Sequence, residues 1–206
     1  VTLTYANNFQ GDLSVTSGNG SVNVRDANAL ALGSITGANV TLVAGGNISQ
    51  SGVYTATGYS NITTTNAGTV VLGNAGNDFG SFLQVNTAGS ATFVDKNDLM
   101  FGTGASTVTG NLSVTAAGNI SQYNNEYSSA PLTVTGAASF TVTAANKNLF
   151  LGSSNLQDGN LTGASNSIGG TVTLATAGAG TFQDIQLRNT NANAAVINGP
   201  PTVGQL

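Results

Sequence analysis

One phrase occurs twice, and it constrains the fold more than any other feature of the chain. The run from Gly37 to Gln50 returns in close copy from Thr109 to Gln122, with the two Asn-Ile-Ser-Gln tails beginning at Asn47 and Asn119. A second pair, Asp26–Gly33 and Asp95–Gly102, is displaced by slightly less, and Ala145–Gly152 is a weaker third relative. The strand-like segments before that pair, Ser21–Val24 and Ala91–Val94, correspond as well. One structural unit is therefore repeated, and a small indel between neighbouring features is absorbed by a loop at little entropic cost.

The repeated unit is written in short alternating strands. Val40/Leu42/Ile48 and Leu112/Val114/Ile120 alternate with Thr and Ser, the period-two signature of a strand with one buried face, and Gly, Asn or Asp closes each short segment. Gly and Asn recur too often for a helical stripe to run. The strand–turn cadence recurs at roughly twenty residues, the scale of one solenoid coil. With 28 glycines and 6% aromatics the chain has no material for one thick core, whereas a solenoid needs only a few inward residues per coil. A hairpin sandwich also uses Thr/Val alternation with Gly turns, but it has no reason to repeat strands, corners and insertions at one long period. The expected architecture is all-β, a parallel β-helix (β-solenoid) with coils of about 20 residues and macro-repeats of about 70. About ten coils at ~4.8 Å would make a rod on the order of 50 Å long.

Residues 1–206 read as a single β-helical region, with macro-repeat copies at about 12–50, 59–122 and 131–188, the last degenerate. Opening in mid-pattern at Val1–Thr4, it is expected to be a piece of a longer chain. Asn28 and Asn97 hold equivalent corners, where stacked side chains can hydrogen-bond along the axis.

Taken together, the stretch 109–122, Asn74–Phe79 and Asp26–Gly33 resemble the repeat regions of filamentous-haemagglutinin-like proteins. These are large bacterial adhesins exported by two-partner or related type V secretion. The resemblance covers nearly the whole chain and weakens from 153 onward. It implies a right-handed β-helical shaft, secreted or held at the bacterial cell surface, with roles in adhesion, biofilm or aggregation. It also implies an outer-membrane secretion partner, and contact with a host or bacterial glycan or protein through other parts of the protein. Neither the family's amino-terminal secretion domain nor a toxin-like carboxy-terminal module is recognisable.

The chemistry legible in the sequence is sparse. There is no histidine and no cysteine, which removes Ser-His-Asp triads, imidazole and thiolate metal ligands, cysteine nucleophiles and disulfides. Four basic residues, Arg25, Lys96, Lys147 and Arg188, make no patch for phosphates, so nucleic acid is not an expected partner. Asp26 and Asp95 stand at equivalent corners, where capping of local amides is expected in preference to a hydrolytic carboxylate pair. Asp95-Lys96-Asn97-Asp98 offers oxygens to a hard cation without the spacing of a calcium loop, so no metal site and no cofactor is assigned. The Asn-x-Ser/Thr triplets at Asn39, Asn47, Asn61, Asn111, Asn119 and Asn160 are read as turn chemistry, not glycosylation.

Two stretches leave the cadence, 51–59 and 123–131, each directly after an Asn-Ile-Ser-Gln tail, and they hold four of the five tyrosines. Because repeat proteins place insertions on one face that is often used for contact, Tyr54, Tyr59, Tyr123 and Tyr127 are the candidate contact face. The expected function is a non-enzymatic shaft. The alternatives are a carbohydrate-binding or polysaccharide-processing β-helix, and a filament or surface layer self-assembled through open coil ends.

Overall fold

In the computed structural model, residues 1–102, 104–125, 128–152, 165–191 and 197–198 are described, and they form β-strands and turns. The first coil carries β1 (Thr2–Asn7) and β2 (Leu13–Thr16), the second β3 (Val22–Asp26) and β4 (Leu30–Gly37). The third has β5 (Val40–Ala44), β6 (Ile48–Gln50) and β7 (Tyr54–Ala56), the fourth β8 (Tyr59–Thr64) and β9 (Val70–Leu72). The fifth has β10 (Phe82–Thr87) and β11 (Ala91–Asp95), and the sixth β12 (Leu99–Phe101), β13 (Ser106–Val108) and β14 (Leu112–Ala116). The seventh holds β15 (Ile120–Gln122), the antiparallel pair β16 (Asn124–Asn125) and β17 (Ser128–Ser129), β18 (Leu132–Val134) and β19 (Ala138–Val142). The eighth holds β20 (Lys147–Leu151), β21 (Ser167–Ile168) and β22 (Val172–Thr176), and the ninth β23 (Phe182–Leu187) and β24 (Ile197–Asn198).

These strands form two large sheets, one of twelve strands whose main path runs β1-β3-β5-β8-β10-β12-β15-β20-β23, and one of ten following β2-β4-β6-β9-β11-β14-β19-β22-β24. Among the described residues every strand pairing is parallel apart from β16–β17. The chain is a parallel β-helix of nine coils in its described residues, where about ten were expected. The coils are unequal. They are short where Val22 pairs with Val40 and where Leu83 pairs with Phe101, and longer where Ser60 pairs with Leu83. They stretch further in the later pairings of Leu112 with Ala138 and of Ala138 with Val172.

Each inward residue stacks on its counterpart one coil away. Leu72, Phe93, Val114, Phe140 and Leu174 form one such column, and Val70, Ala91, Leu112, Ala138 and Val172 another, all of them buried. The second column alternates in size, which is how coils of unequal girth fill a narrow interior at native density. Fully burying each Val, Leu, Ile or Phe is worth roughly 1.5–3 kcal/mol, so the stack is held by many modest increments. The inward residues expected from the sequence, Val40, Leu42, Ile48, Leu112, Val114 and Ile120, are all at most 1% exposed. Corners need close backbone approach: a Cβ at Gly45 would collide with the Ala27 carbonyl of the coil below.

Equivalent strands of the two copies do not fall in the same sheet. Val40–Ala44 lies in the twelve-stranded sheet, but its copy Leu112–Ala116 lies in the ten-stranded one. Ile48–Gln50 and Ile120–Gln122 exchange sheets in the opposite sense, while the strands ending at Asp26 and Asp95 move from the twelve-stranded to the ten-stranded sheet like Val40–Ala44 and its copy. The physical reason is arithmetic. A unit of about 70 residues laid on coils of about 20 advances three and a half coils, so each copy starts on the opposite side of the helix from the last.

Candidate functional site

The four tyrosines part company in the structure. Tyr54 is 1% exposed, its ring 5.1 Å from Phe79, which in turn meets Phe93 edge-on at 5.4 Å. Its hydroxyl donates to Ser60 Oγ at 2.8 Å, and Ser60 Oγ donates to the Phe79 carbonyl. Burial pushes the phenol well above its ordinary range. Tyr54 is thus a core residue and not part of a contact face: β7 pairs with β4, and its alternation turns Tyr54 inward with Ala56. Tyr127 lies outside the described residues.

Tyr59 and Tyr123 do share a surface. Tyr59 is 46% exposed at the start of β8 and is held by its amide, which donates to Asn39 Oδ1 at 3.1 Å. Phe82 is its partner on β10, and the Phe82 and Tyr123 rings meet edge-to-face at 5.2 Å. The coil between Phe82 and Tyr123 contributes Gly102, where a Cβ would press on Phe82 Cβ at 3.1 Å. A side chain there would separate the rings, so glycine lets them converge. The result is an aromatic column, Tyr59–Phe82–Tyr123, along the outer face of the twelve-stranded sheet. Phe82 was not singled out in the sequence, although the signal was present: Leu83 and Val85 are inward, which turns Phe82 out.

Beside this column lies a cleft of about 430 Å³ lined by Tyr59, Ser60, Asn61, Phe82, Gln84 and Gly102. None of these side chains is charged. Gln84 is anchored, its Nε2 donating to the Ala105 carbonyl at 3.0 Å. Asn61 is different, because its Oδ1 is buried with no hydrogen-bond partner.

That orphan stands out against the other Asn-x-Ser/Thr asparagines. Asn39, Asn47, Asn111 and Asn119 each use Oδ1 to accept a backbone amide of the next coil, from Tyr59, Thr69, Ala137 and Asn148 respectively. These bonds are the turn chemistry expected of the triplets, extended into ladders along the axis. Asn28 and Asn97 likewise reach one coil back, donating to Asn8 Oδ1 and Asp78 Oδ2, each at 3.0 Å. Asn160 lies outside the described residues.

A second, polar cleft of about 470 Å³ includes Asp78, Lys96, Asn97, Asp98 and Lys147. Lys96 Nζ lies 3.3 Å from Asp78 Oδ2. Asp95 nearby accepts the amides of Phe79 and Asn97 at 3.0 and 2.7 Å, just as Asp26 accepts those of Phe9 and Asn28, so both cap local amides as expected. Burial raises the Asp95 carboxyl above its ordinary value, with its two backbone hydrogen bonds acting against the rise. Asp98 accepts the Asn119 amide at 2.7 Å. With these carboxylates given to backbone amides, no group of three or more metal-ligating side chains gathers among the described residues.

The sequence did not show a pair of interlocked amides. Gln50 and Asn77 exchange hydrogen bonds at 2.9 and 2.8 Å, and Asn77 Oδ1 also accepts the Tyr54 amide. In the second unit Gln122 and Asn166 do the same at 2.7 and 2.9 Å, with Asn166 Oδ1 accepting the Leu132 amide. Both plugs use the glutamine that ends an Asn-Ile-Ser-Gln tail and anchor the strand that resumes the coil.

A family model described as repeats of unknown function (DUF5649) matches residues 19–86 and 88–157. No curated protein matches the chain, and no solved structure does.

Proposed function

We propose that this chain, which belongs to that family of repeats of unknown function, is a length of structural shaft in a secreted or surface-exposed bacterial adhesin of the filamentous-haemagglutinin kind, a spacer without catalytic activity of its own. The observation that carries this reading is the internal copying of one stacking unit. Val40–Ala44 and its copy Leu112–Ala116 occupy the same role in successive units, so coils are added without altering the interior. Such a solenoid gains length by stacking further coils on the same inward columns, which suits a part that holds something else away from a surface. The use of Asp26 and Asp95 as amide caps supports the non-enzymatic part of the reading, since neither is free to act as acid or base. In this reading an outer-membrane partner exports the chain, and adhesion to a host or bacterial surface is executed elsewhere in the protein.

Immunoelectron microscopy of intact cells, with antibody raised against this chain, tests it. The expected result is label on thin projections at the cell surface or on released rods. Label confined to the cell interior, or a compact globular particle for the purified full-length protein, would overturn it.

A further inference from the structure

We propose that the cleft beside Tyr59 and Phe82 binds a neutral oligosaccharide, one sugar ring stacking on the aromatic column while its hydroxyls meet Asn61 and Gln84. The inference goes beyond the shaft reading and does not depend on it.

The cleft is a departure from the repeat. The ladders align Ser60 with Val40 and Ala138 with Leu112, so the second unit has Ala137 and Ser139 where the first has Tyr59 and Asn61. Stacking coils does not require a large exposed ring at this position, because the second unit manages with alanine. Nor does it require Asn61, whose Oδ1 forms no bond to a neighbouring coil, unlike the four ladder asparagines. A buried acceptor without a partner is a standing cost in the free protein, and a sugar hydroxyl seated against Asn61 is a donor that would satisfy it.

The ligand class follows by elimination. None of Tyr59, Ser60, Asn61, Phe82, Gln84 and Gly102 is charged, so an acidic polysaccharide or a nucleic acid would bring charge that nothing in the lining neutralises. A peptide added as a strand needs a free edge, but β8 is paired on both sides, to β5 and to β10. A purely aliphatic ligand would desolvate two side-chain amides without replacing their hydrogen bonds. A neutral sugar has both complements, a C–H face for the rings and hydroxyls for the amides, and about 430 Å³ falls in the size range of small-ligand sites.

Titration of the chain with neutral gluco-oligosaccharides (cellohexaose and laminarihexaose), followed by calorimetry and saturation-transfer NMR, tests this, with oligogalacturonate as the anionic control. The expected result is saturable binding of a neutral oligomer, none of the uronate, and about tenfold weaker binding in Tyr59→Ala and in Phe82→Ala with the β-sheet spectrum intact. Should Phe82→Ala lose that spectrum, Asn61→Leu keeps the side chain's size, removes the unpartnered acceptor and is expected to weaken binding as well. No binding of either neutral oligomer at millimolar concentration, binding of the uronate alone, or affinity unchanged in the variants would overturn the proposal. None of these outcomes alters whether the protein is a surface rod, so the two readings fail separately.

Discussion

At the scale of single residues, the fold is held in register by side-chain oxygens that stand in for missing backbone partners at corners. Asp95 is 2% exposed and satisfies two amides, so Asp95→Ala orphans the buried Phe79 N–H and is expected to destabilise the chain by about 1–3 kcal/mol in denaturant melts. Its raised pKa adds a pH signature. A carboxyl that binds its proton more tightly folded than unfolded contributes stability present below its ordinary value, and that contribution is lost as pH rises through the raised value. Stability curves between about pH 3 and pH 7 are therefore expected to show an acid-side gain from Asp95 that Asp95→Asn abolishes. The amide plug gives a second prediction. Asn77→Leu leaves the Tyr54 amide unpaired and strips Gln50 of its two bonds to Asn77 while leaving it those to Gly52 and Asn74; it should lower stability by about 1–3 kcal/mol, non-additively with Gln50→Leu. The capping by Asp26 and Asp95 was legible from their equivalent positions. The pairing of Gln122 with Asn166 was not, because they lie far apart in the chain and no local pattern ties one to the other.

At the scale of strands and coils, the period-two alternation specified which residues face in, and the columns through Leu72–Leu174 and Val70–Val172 bear it out. Phe140 sits between Val114 and Leu174 at 0% exposure, so Phe140→Ala should leave a cavity lined by three coils and cost about 3–5 kcal/mol, read from the denaturation midpoint. Thr141→Ala, on the outward side of the same strand, should change stability by no more than about 0.5 kcal/mol. The candidate site was half legible. Tyrosine clustering after the repeated tails led to Tyr59 and Tyr123, but it also led to Tyr54, which a short strand turns into the core. Phe82 escaped attention because it lies inside the regular cadence and not in an excursion. The convergence of its ring with Tyr123 depends on Gly102 in the intervening coil, a relation that exists only after coils are stacked.

At the scale of the whole molecule, the repeat length and the coil length are incommensurate by half a coil, and that mismatch decides what successive units present to the outside. Anything specific to one unit faces the opposite way in the next, about 17 Å further along the axis at ~4.8 Å per coil. Both lengths were readable in the sequence, yet dividing one by the other requires the coils to be counted, and the pairings of Val22 with Val40 and of Ala138 with Val172 show how unequal they are. The absence of cysteine makes the claim directly measurable, since single pairs can be introduced for spin labelling without background. Thr41 and Ser121 face outward from the same sheet four coils apart, while Thr41 and Ser113 lie three and a half coils apart on opposite sheets. Electron–electron distance measurements on Thr41→Cys/Ser113→Cys and Thr41→Cys/Ser121→Cys should give the longer distance for the 41–113 pair, although fewer coils separate it. A 41–113 distance shorter than 41–121 would place the two copies on one face and contradict the half-coil alternation.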